Sequence, residues 1–378
     1  MASVYGKTTT EIRRELHSAP EKSGEEVKTS DHIAELLSKI PGMEVHRKMG
    51  IHGVVGIKRY GEGNAVGFRA ELDALPVFQE SNASYKSQNE GVSHVCGHDG
   101  HMVMVLDLLD RLEAAETDFG TVMVFFQSAE ETGRGAREMV KVLKKKDNYP
   151  ELKACFALHN IPGREKGKVF YRKETFACGS TGVEVNIKGR TAHAAHPEDA
   201  INPLFATAKL MQFAAKMPDQ SGEHFALCTP IALHSGSQTF GTSPADATLL
   251  MTLRSEDKQH LKGMMKAFEN EARRLTEKVG AECNVEFHEY FPPTVNTDFC
   301  SEAKNACQAA GIKCASLDKA LRWSEDFAHF SKKYPIFLAG IGSGENQPAL
   351  HAPDFDFPDE LIEKGSAYFG EMYKTFAR

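Results

Sequence analysis

Ser93-His94-Val95-Cys96-Gly97-His98-Asp99-Gly100-His101 gathers three histidines, a thiol, a carboxylate and two glycines into nine residues. Gly and Asp disfavour strands, and charged groups are costly to bury, so the stretch predicts a tight loop rather than a core segment. Such a loop can turn several side chains onto one cation. Cys96 and His98 flank a single residue, and an extended backbone would point both to the same side. A thiolate and an imidazole on one face suit Zn²⁺ or another borderline-soft divalent ion. The plain alternative is a surface loop that is merely rich in histidine. The other ligands must then come from elsewhere in the chain.

Around this stretch the chain alternates short apolar runs with helical patterns. Upstream, threonines followed by Glu11, with Ile12 and Leu16 four apart, predict a capped helix over 8–17. A second helix is expected over 23–40, stopped by Pro41-Gly42. Strands are expected at 45–46, 53–57 and 65–70. Downstream, 102–112 reads as a buried helix, 121–127 as a core strand, 136–143 as a helix and 154–158 as a further strand. Asp73, Glu130, Glu131 and His159 each fall just beyond the end of an apolar run. In open α/β sheets, ligands bind outside the carboxyl ends of the strands. Residues from separate segments are thus expected on one rim.

The pattern changes near Cys178. Residues 181–188 alternate with period two, a helix is expected over 202–217, strands at 225–234 and 247–254, a long helix over 258–279 and a last strand at 282–290. That β-α-β-β-α-β order is that of a ferredoxin-like module. Pro292-Pro293 breaks the chain. A helix at 300–310, a strand at 336–341, His351 in a Pro/Asp-rich loop and a terminal helix from Pro358 then resume the α/β character. The expected architecture is an α/β domain made of 1–178 and 291–378, with an α+β domain at 179–290 inserted into it.

Composition narrows the function classes. The chain has 378 residues, enough for two domains, with 45 basic and 52 acidic residues and a net charge of −7. No basic stripe stands out, which argues against a nucleic-acid partner. The eight cysteines contain no C-x-x-C pair and suit a reducing compartment. No secretory h-region and no apolar run long enough to span a bilayer is visible, so a soluble, cytoplasmic protein is expected.

Candidate ligands are Cys96, His98, Glu130 or Glu131, His159 and His351. That is more than one zinc normally takes, and it fits two metals sharing a bridging group. Each residue has a plain reading as well: a Glu pair at a helix start, a structural histidine, a loop histidine. Their joint placement favours a site. Of the adjacent glutamates, one could bind metal while the other serves as general base. In the inserted module, His193 could donate to a developing oxyanion, with a solvated surface loop as the alternative. Arg254 could hold a substrate carboxylate bidentately.

Several segments jointly resemble the aminoacylase-type binuclear metallopeptidases, metallopeptidase family 20, and within them the amidohydrolase subfamily. They are Arg13-Arg14-Glu15-Leu16-His17-Ser18-Ala19-Pro20-Glu21, Phe68-Arg69-Ala70-Glu71-Leu72-Asp73-Ala74-Leu75-Pro76, Cys96-Gly97-His98-Asp99-Gly100-His101 and Phe126-Gln127-Ser128-Ala129-Glu130-Glu131. Leu158-His159-Asn160, His193-Ala194-Ala195, Ser324-Glu325-Asp326-Phe327 and His351-Ala352-Pro353 complete the set. The resemblance implies a zinc-peptidase-like catalytic domain and an inserted lid that also makes a homodimer. It implies two divalent ions, Zn²⁺ foremost with Mn²⁺, Ni²⁺ or Co²⁺ also suited, held by Cys96 as bridge with His98, Glu131, His159 and His351. Glu130 would be the general base, acting on metal-activated water to hydrolyse the amide of an N-acyl amino acid. His193 would complete the site of a neighbouring subunit. Asp73, Asp99 and His101 would orient the ligands from behind, and His94 would be incidental.

The chain departs from the family pattern at three places. Glu71 stands where Asp is usual, Asn202-Pro203 replaces Asp-Pro, and the stretch 235–244 lacks the usual Asn. A dipeptidase or carboxypeptidase using the same centre, and a metal-dependent binding protein without catalysis, are the alternative readings.

Overall fold

Thr8 and Glu11 open the first helix with a reciprocal cap. In the computed structural model, which describes residues 3–217 and 224–378, Thr8 Oγ1 accepts the Glu11 N–H at 3.2 Å and the Glu11 carboxylate accepts the Thr8 N–H at 2.7 Å. Such a box contributes about 1 kcal/mol. It starts α1 (Thr9–Ser18), whose buried face carries Ile12, Arg13, Leu16 and His17.

The elements that follow are α2 (Val27–Ser38), β1 (Glu44–Met49), β2 (Gly53–Arg59), β3 (Glu62–Glu71), α3 (His98–Ala114), β4 (Phe119–Gln127), α4 (Gly135–Leu143), β5 (Leu152–Pro162), β6 (Val169–Tyr171) and β7 (Glu174–Ala177). Next come β8 (Gly179–Lys188), α5 (Leu204–Lys216), β9 (Ala226–Ser235), β10 (Asp246–Ser255), α6 (Lys258–Lys278) and β11 (Glu282–Phe291). The chain closes with β12 (Thr294–Asn296), α7 (Cys300–Ala309), β13 (Cys314–Ser316), β14 (Ile336–Gly344) and α8 (Leu361–Ala377).

Two units result. The first takes the chain up to Phe176, Thr294–Lys319 and Asp326–Arg378, and the second takes Ala177–Pro293 with Ala320–Glu325. Within the first, eight strands form one mixed sheet in the order β1-β2-β4-β3-β5-β14-β6-β13. Its centre is parallel, β4 beside β3, β3 beside β5 and β5 beside β14. The second half of β3 and most of β4 and β5 are buried, as near-continuous apolar strands covered on both faces should be. Helices α3 and α8 pack on each other and on β3. The parallel arrangement brings the carboxyl ends of β3, β4, β5 and β14 to one rim.

The second unit is an antiparallel sheet in the order β11-β8-β10-β9. Val183, Val185 and Ile187 of β8 alternate inward and meet Leu210 of α5 and Leu261, Met264 and Phe268 of α6. Strand order and connectivity are those of a ferredoxin-like module. Overall the chain is an α/β domain carrying an inserted α+β unit.

Four sequence expectations need correction. Residues 320–325 group with the second unit rather than with the segment 291–378. Leu321 bridges Ala177, and the Arg254 guanidinium donates to the Arg322 carbonyl at 3.1 Å and to Ser324 Oγ at 2.8 Å. Helix α2 starts at Val27 rather than near Ser23, because the Glu26 carboxylate turns inward and accepts the N–H groups of Gly24 and Ala129, each at 2.7 Å. Helix α3 starts at His98, not Met102. His159 lies within β5 rather than beyond its end.

Candidate metal centre

Cys96 and His98 meet the same cavity by a turn, not by an extended backbone. Gly97 between them is left-handed, with φ of 95°, and a Cβ there would fall 2.2 Å from Asn160 Oδ1. Only glycine fits. The turn leaves Cys96 before the helix and puts His98 at its first position. His98 Nδ1–H donates to the main-chain carbonyl of Asp73 at 2.8 Å. His159 Nδ1–H likewise donates to the Asn160 carbonyl at 2.9 Å. In both rings these bonds fix the tautomer that leaves Nε2 as a lone-pair donor.

Five groups of three possible ligand atoms form among the described residues, His98, Glu130 and Glu131 making one of them, and two of the five share Cys96. Cys96, His98 and His159 form one, and Cys96, Glu131 and His351 the other, with the atoms of each lying within 4.8 Å of one another. Cys96 belongs to both. Its Sγ lies 3.6 Å from His159 Nε2, while Glu131 Oε1 lies 3.4 Å from His351 Nε2 and 4.0 Å from His98 Nε2. Four ligands at bond lengths of about 2.0–2.3 Å around a tetrahedral ion sit about 3.3–3.8 Å apart. His98 Nε2 and Glu131 Oε1 are buried and make no hydrogen bond. Buried polar atoms ordinarily have partners. The donor set, its spacing and these two orphaned atoms fit a pair of divalent cations.

The electrostatics point the same way. Burial raises the Cys96 thiol well above its ordinary value, and Glu131 and Glu130 add to the effect. Burial also works against charge on His98, yet the bond to Asp73 and the charges of Glu71, Asp73 and Glu131 push it up to about 10. Burial, with His101 beside it, holds His159 well below its ordinary value, so the carboxylates favour a cation at His98 rather than throughout the cavity. Divalent cations would displace the His98 proton and deprotonate the thiol.

Loops at the sheet rim carry the remaining groups. Ala129 adopts a left-handed φ of 54°, uncommon for a residue with a Cβ, and Glu130 and Glu131 follow it. Glu130 Oε1 accepts the Asp326 N–H at 3.3 Å. Asp73 Oδ2 accepts the Glu131 N–H at 2.9 Å. His351 is also left-handed, with φ of 67°, and its N–H donates to the Val95 carbonyl at 2.9 Å, next to Cys96.

Behind the ligands, His101 Nδ1–H donates to Glu71 at 2.8 Å, and its Nε2 lies 2.6 Å from Asn160 Oδ1. Glu71 also meets Arg69, whose guanidinium bonds Gln127 at 2.9 Å and Asp326 at 2.8 Å. Asp99 points away from the ligand cluster, toward His17 Nδ1 at 2.8 Å and Arg13 Nη1 at 3.1 Å. His94 lies in the same stretch. It is buried, neither ring nitrogen makes a hydrogen bond, and burial lowers it to about 4. Sequence reasoning gave no role to Asn160, Glu26, Gln127 or the Arg69–Asp326 pair. The motif segments contained all but Glu26, and only the folded contacts assign them work.

In the second unit, His193 is exposed and its Nδ1 accepts the Ala195 N–H at 3.1 Å. No carboxylate among the described residues pairs with Arg254. The stretch 235–244, which lacks the usual Asn, borders a hollow of about 470 Å³ lined by Thr191, His234, Ser237, Thr242 and Ser243. Among the described residues no helix is long and apolar enough to cross a membrane.

The family model "Peptidase family M20/M25/M40" matches residues 67–375. The hippurate hydrolase of Campylobacter jejuni is 28% identical over 370 residues, covering 96% of this chain and 94% of that enzyme. The N-acetylcysteine deacetylase of Bacillus subtilis is 26% identical over 368 residues, with 96% and 94% covered. Among solved structures, a dinuclear metal-binding peptidase of the M20 family from Bacillus subtilis superposes with a TM-score of 0.82 at 24% identity, over 98% of this chain and 97% of that one.

Proposed function

From the premise that the chain belongs to peptidase family M20/M25/M40, in its metal-dependent amidohydrolase branch, we propose that it hydrolyses the amide bond of small N-acyl amino acids at a two-metal centre. The observation that carries this is the sharing of Cys96 between two ligand triads. His98 and His159 would hold one ion, Glu131 and His351 the other, and the Cys96 thiolate would lie between them. Zn²⁺ suits this mixed S/N/O set best, and Mn²⁺, Ni²⁺ or Co²⁺ is tolerated. Bound there, the ions would supply Lewis acidity, acidifying a water and polarising the amide carbonyl.

The chain's own groups do the rest. Glu130, nearly buried and oriented by the Asp326 N–H, receives the proton of the attacking water and delivers it to the leaving nitrogen. Its neighbour Glu131 would bind metal, with its main-chain N–H donated to Asp73. His193 donates to the oxyanion, and Arg254 pairs with the substrate carboxylate.

The second unit serves as lid and dimer surface. Its edge strand β9 exposes Ile231 and Leu233, and Phe240 is fully exposed. An open strand edge with apolar side chains is a pairing surface. A reducing, cytoplasmic setting suits a centre built on a thiolate.

A panel of N-acetyl, N-benzoyl and other N-acyl amino acids, run beside dipeptides with Zn²⁺ or Mn²⁺ added, tests the reading. Release of free amino acid from the acyl series supports it. Turnover of dipeptides alone reassigns the centre to peptide bonds, and no turnover of either removes catalysis.

A further inference from the structure

Arg13 lies in α1, remote in sequence from every proposed ligand, yet its side chain is fully buried beside the metal centre's framework. Its guanidinium reaches three carboxylates. Nη1 donates to Asp99 at 3.1 Å and to Asp356 at 2.8 Å, and Nε donates to Asp359 at 2.7 Å. Tyr85 stacks on it at 4.7 Å and donates its hydroxyl to Asp356 at 2.6 Å. Asp99 directly follows His98 on the first turn of α3. Asp356 and Asp359 belong to the arm that follows His351.

The same two segments meet again beside this ion cluster. Phe357 lies against Gly100, where a Cβ would fall 2.4 Å from its ring. His17 braces the α3 side, donating from Nδ1 to Asp99 at 2.8 Å and accepting from Gln79 at 2.7 Å.

We infer that Arg13 is a positioning residue that ties the turn carrying His98 to the arm carrying His351, and so sets how tightly the centre holds its second ion. The inference rests on the two-metal reading above. Arginine is suited to the task because one planar fork can hold carboxylates from two directions. His351 needs such a tie. Its side chain is 49% exposed, and its main-chain N–H, donated to the Val95 carbonyl at 2.9 Å, holds the backbone rather than the imidazole. Groups that hold ligands from behind are typically worth about 10–100-fold in metal affinity. A buried ion cluster could instead serve only the fold. The two roles differ in what they move.

The test uses the full-length protein, stripped with a chelator and titrated with Zn²⁺ against a chromophoric competitor. Thermal midpoints are measured with and without Zn²⁺. Wild-type protein should bind two ions per chain. Arg13→Met should lower the affinity for one of them about 10–100-fold and shrink the midpoint gain on adding Zn²⁺. Arg13→Lys should fall between, and Lys7→Ala, which removes an exposed pair with Glu15 outside the cluster, should bind as wild type. If Arg13→Met does not fold, Arg13→Lys and Asp359→Asn carry the comparison. Variants that lose midpoint but bind both ions with wild-type affinity would reduce Arg13 to a structural residue. Wild-type protein that takes up no Zn²⁺ would instead overturn the two-metal reading, and the clamp with it.

Discussion

Asp73 accepts the main-chain N–H of Glu131 at 2.9 Å, while its own main-chain carbonyl accepts the His98 ring N–H at 2.8 Å. One residue just beyond β3 therefore aligns proposed ligands delivered by α3 and by the turn after β4. Asp73→Ala should leave the fold intact and lower Zn²⁺ affinity by about 10–100-fold. Equilibrium dialysis at fixed free Zn²⁺, with circular dichroism as the folding control, checks this.

Glu130→Gln keeps the side chain's shape and its oxygen toward the Asp326 N–H but removes the proton acceptor. Metal content should stay at the wild-type level while kcat falls by about 10²–10⁴-fold. Retained turnover in protein that carries its full metal would remove Glu130 as the base.

Gly100 has a Phe357 ring atom 2.4 Å from the point where a Cβ would stand. Phe357 is itself buried and cannot retreat freely. Gly100→Ala should therefore destabilise the protein by about 1–3 kcal/mol, read as a lowered urea midpoint at unchanged m-value. It should also weaken Zn²⁺ binding, since the displaced arm carries His351.

Glu26 gives a pH signature. Burial, helped by the neighbouring Asp73, raises its carboxyl from 4.5 to about 7. Between those values the folded protein keeps a proton that the unfolded chain has released. Stability therefore falls as pH rises through that window and levels off above it, an effect of up to about 3 kcal/mol. Glu26→Gln cannot ionise, yet its amide oxygen can still accept from Gly24 and Ala129. Unfolding curves of metal-free protein should show the variant gaining on wild type from pH 5 to about 7 and holding that lead above it.

The sequence made some of this legible and hid the rest for physical reasons. Local signals came through. The Thr8/Glu11 cap, the alternation of Val183, Val185 and Ile187, and the apolar run of β4 each depend on residues a few positions apart. The chemistry of Cys96, His98 and the Glu pair was also visible, because side-chain type alone restricts what can bind metal. Geometry was not. An extended backbone and a left-handed Gly97 both aim Cys96 and His98 together, and only the fold distinguishes them. Glu26 reads as an ordinary helical residue until Ala129 is found donating to it. Arg13 is separated from Asp359 by 346 positions, and nothing in its neighbours announces three carboxylates. The excursion of Ala320–Glu325 into the second unit likewise depends on Arg254 reaching a carbonyl that no local pattern marks.

We propose a thiolate-bridged pair of metal ions that hydrolyses N-acyl amino acids. Chelator-stripped protein titrated with Zn²⁺ or Mn²⁺, with amino-acid release from an N-acyl substrate followed at each addition, tests it most directly. Activity should be absent without metal, rise with added ion and reach its plateau at about two equivalents per chain. Full activity in the stripped protein, or no release once two equivalents are bound, would rule out a two-metal hydrolase.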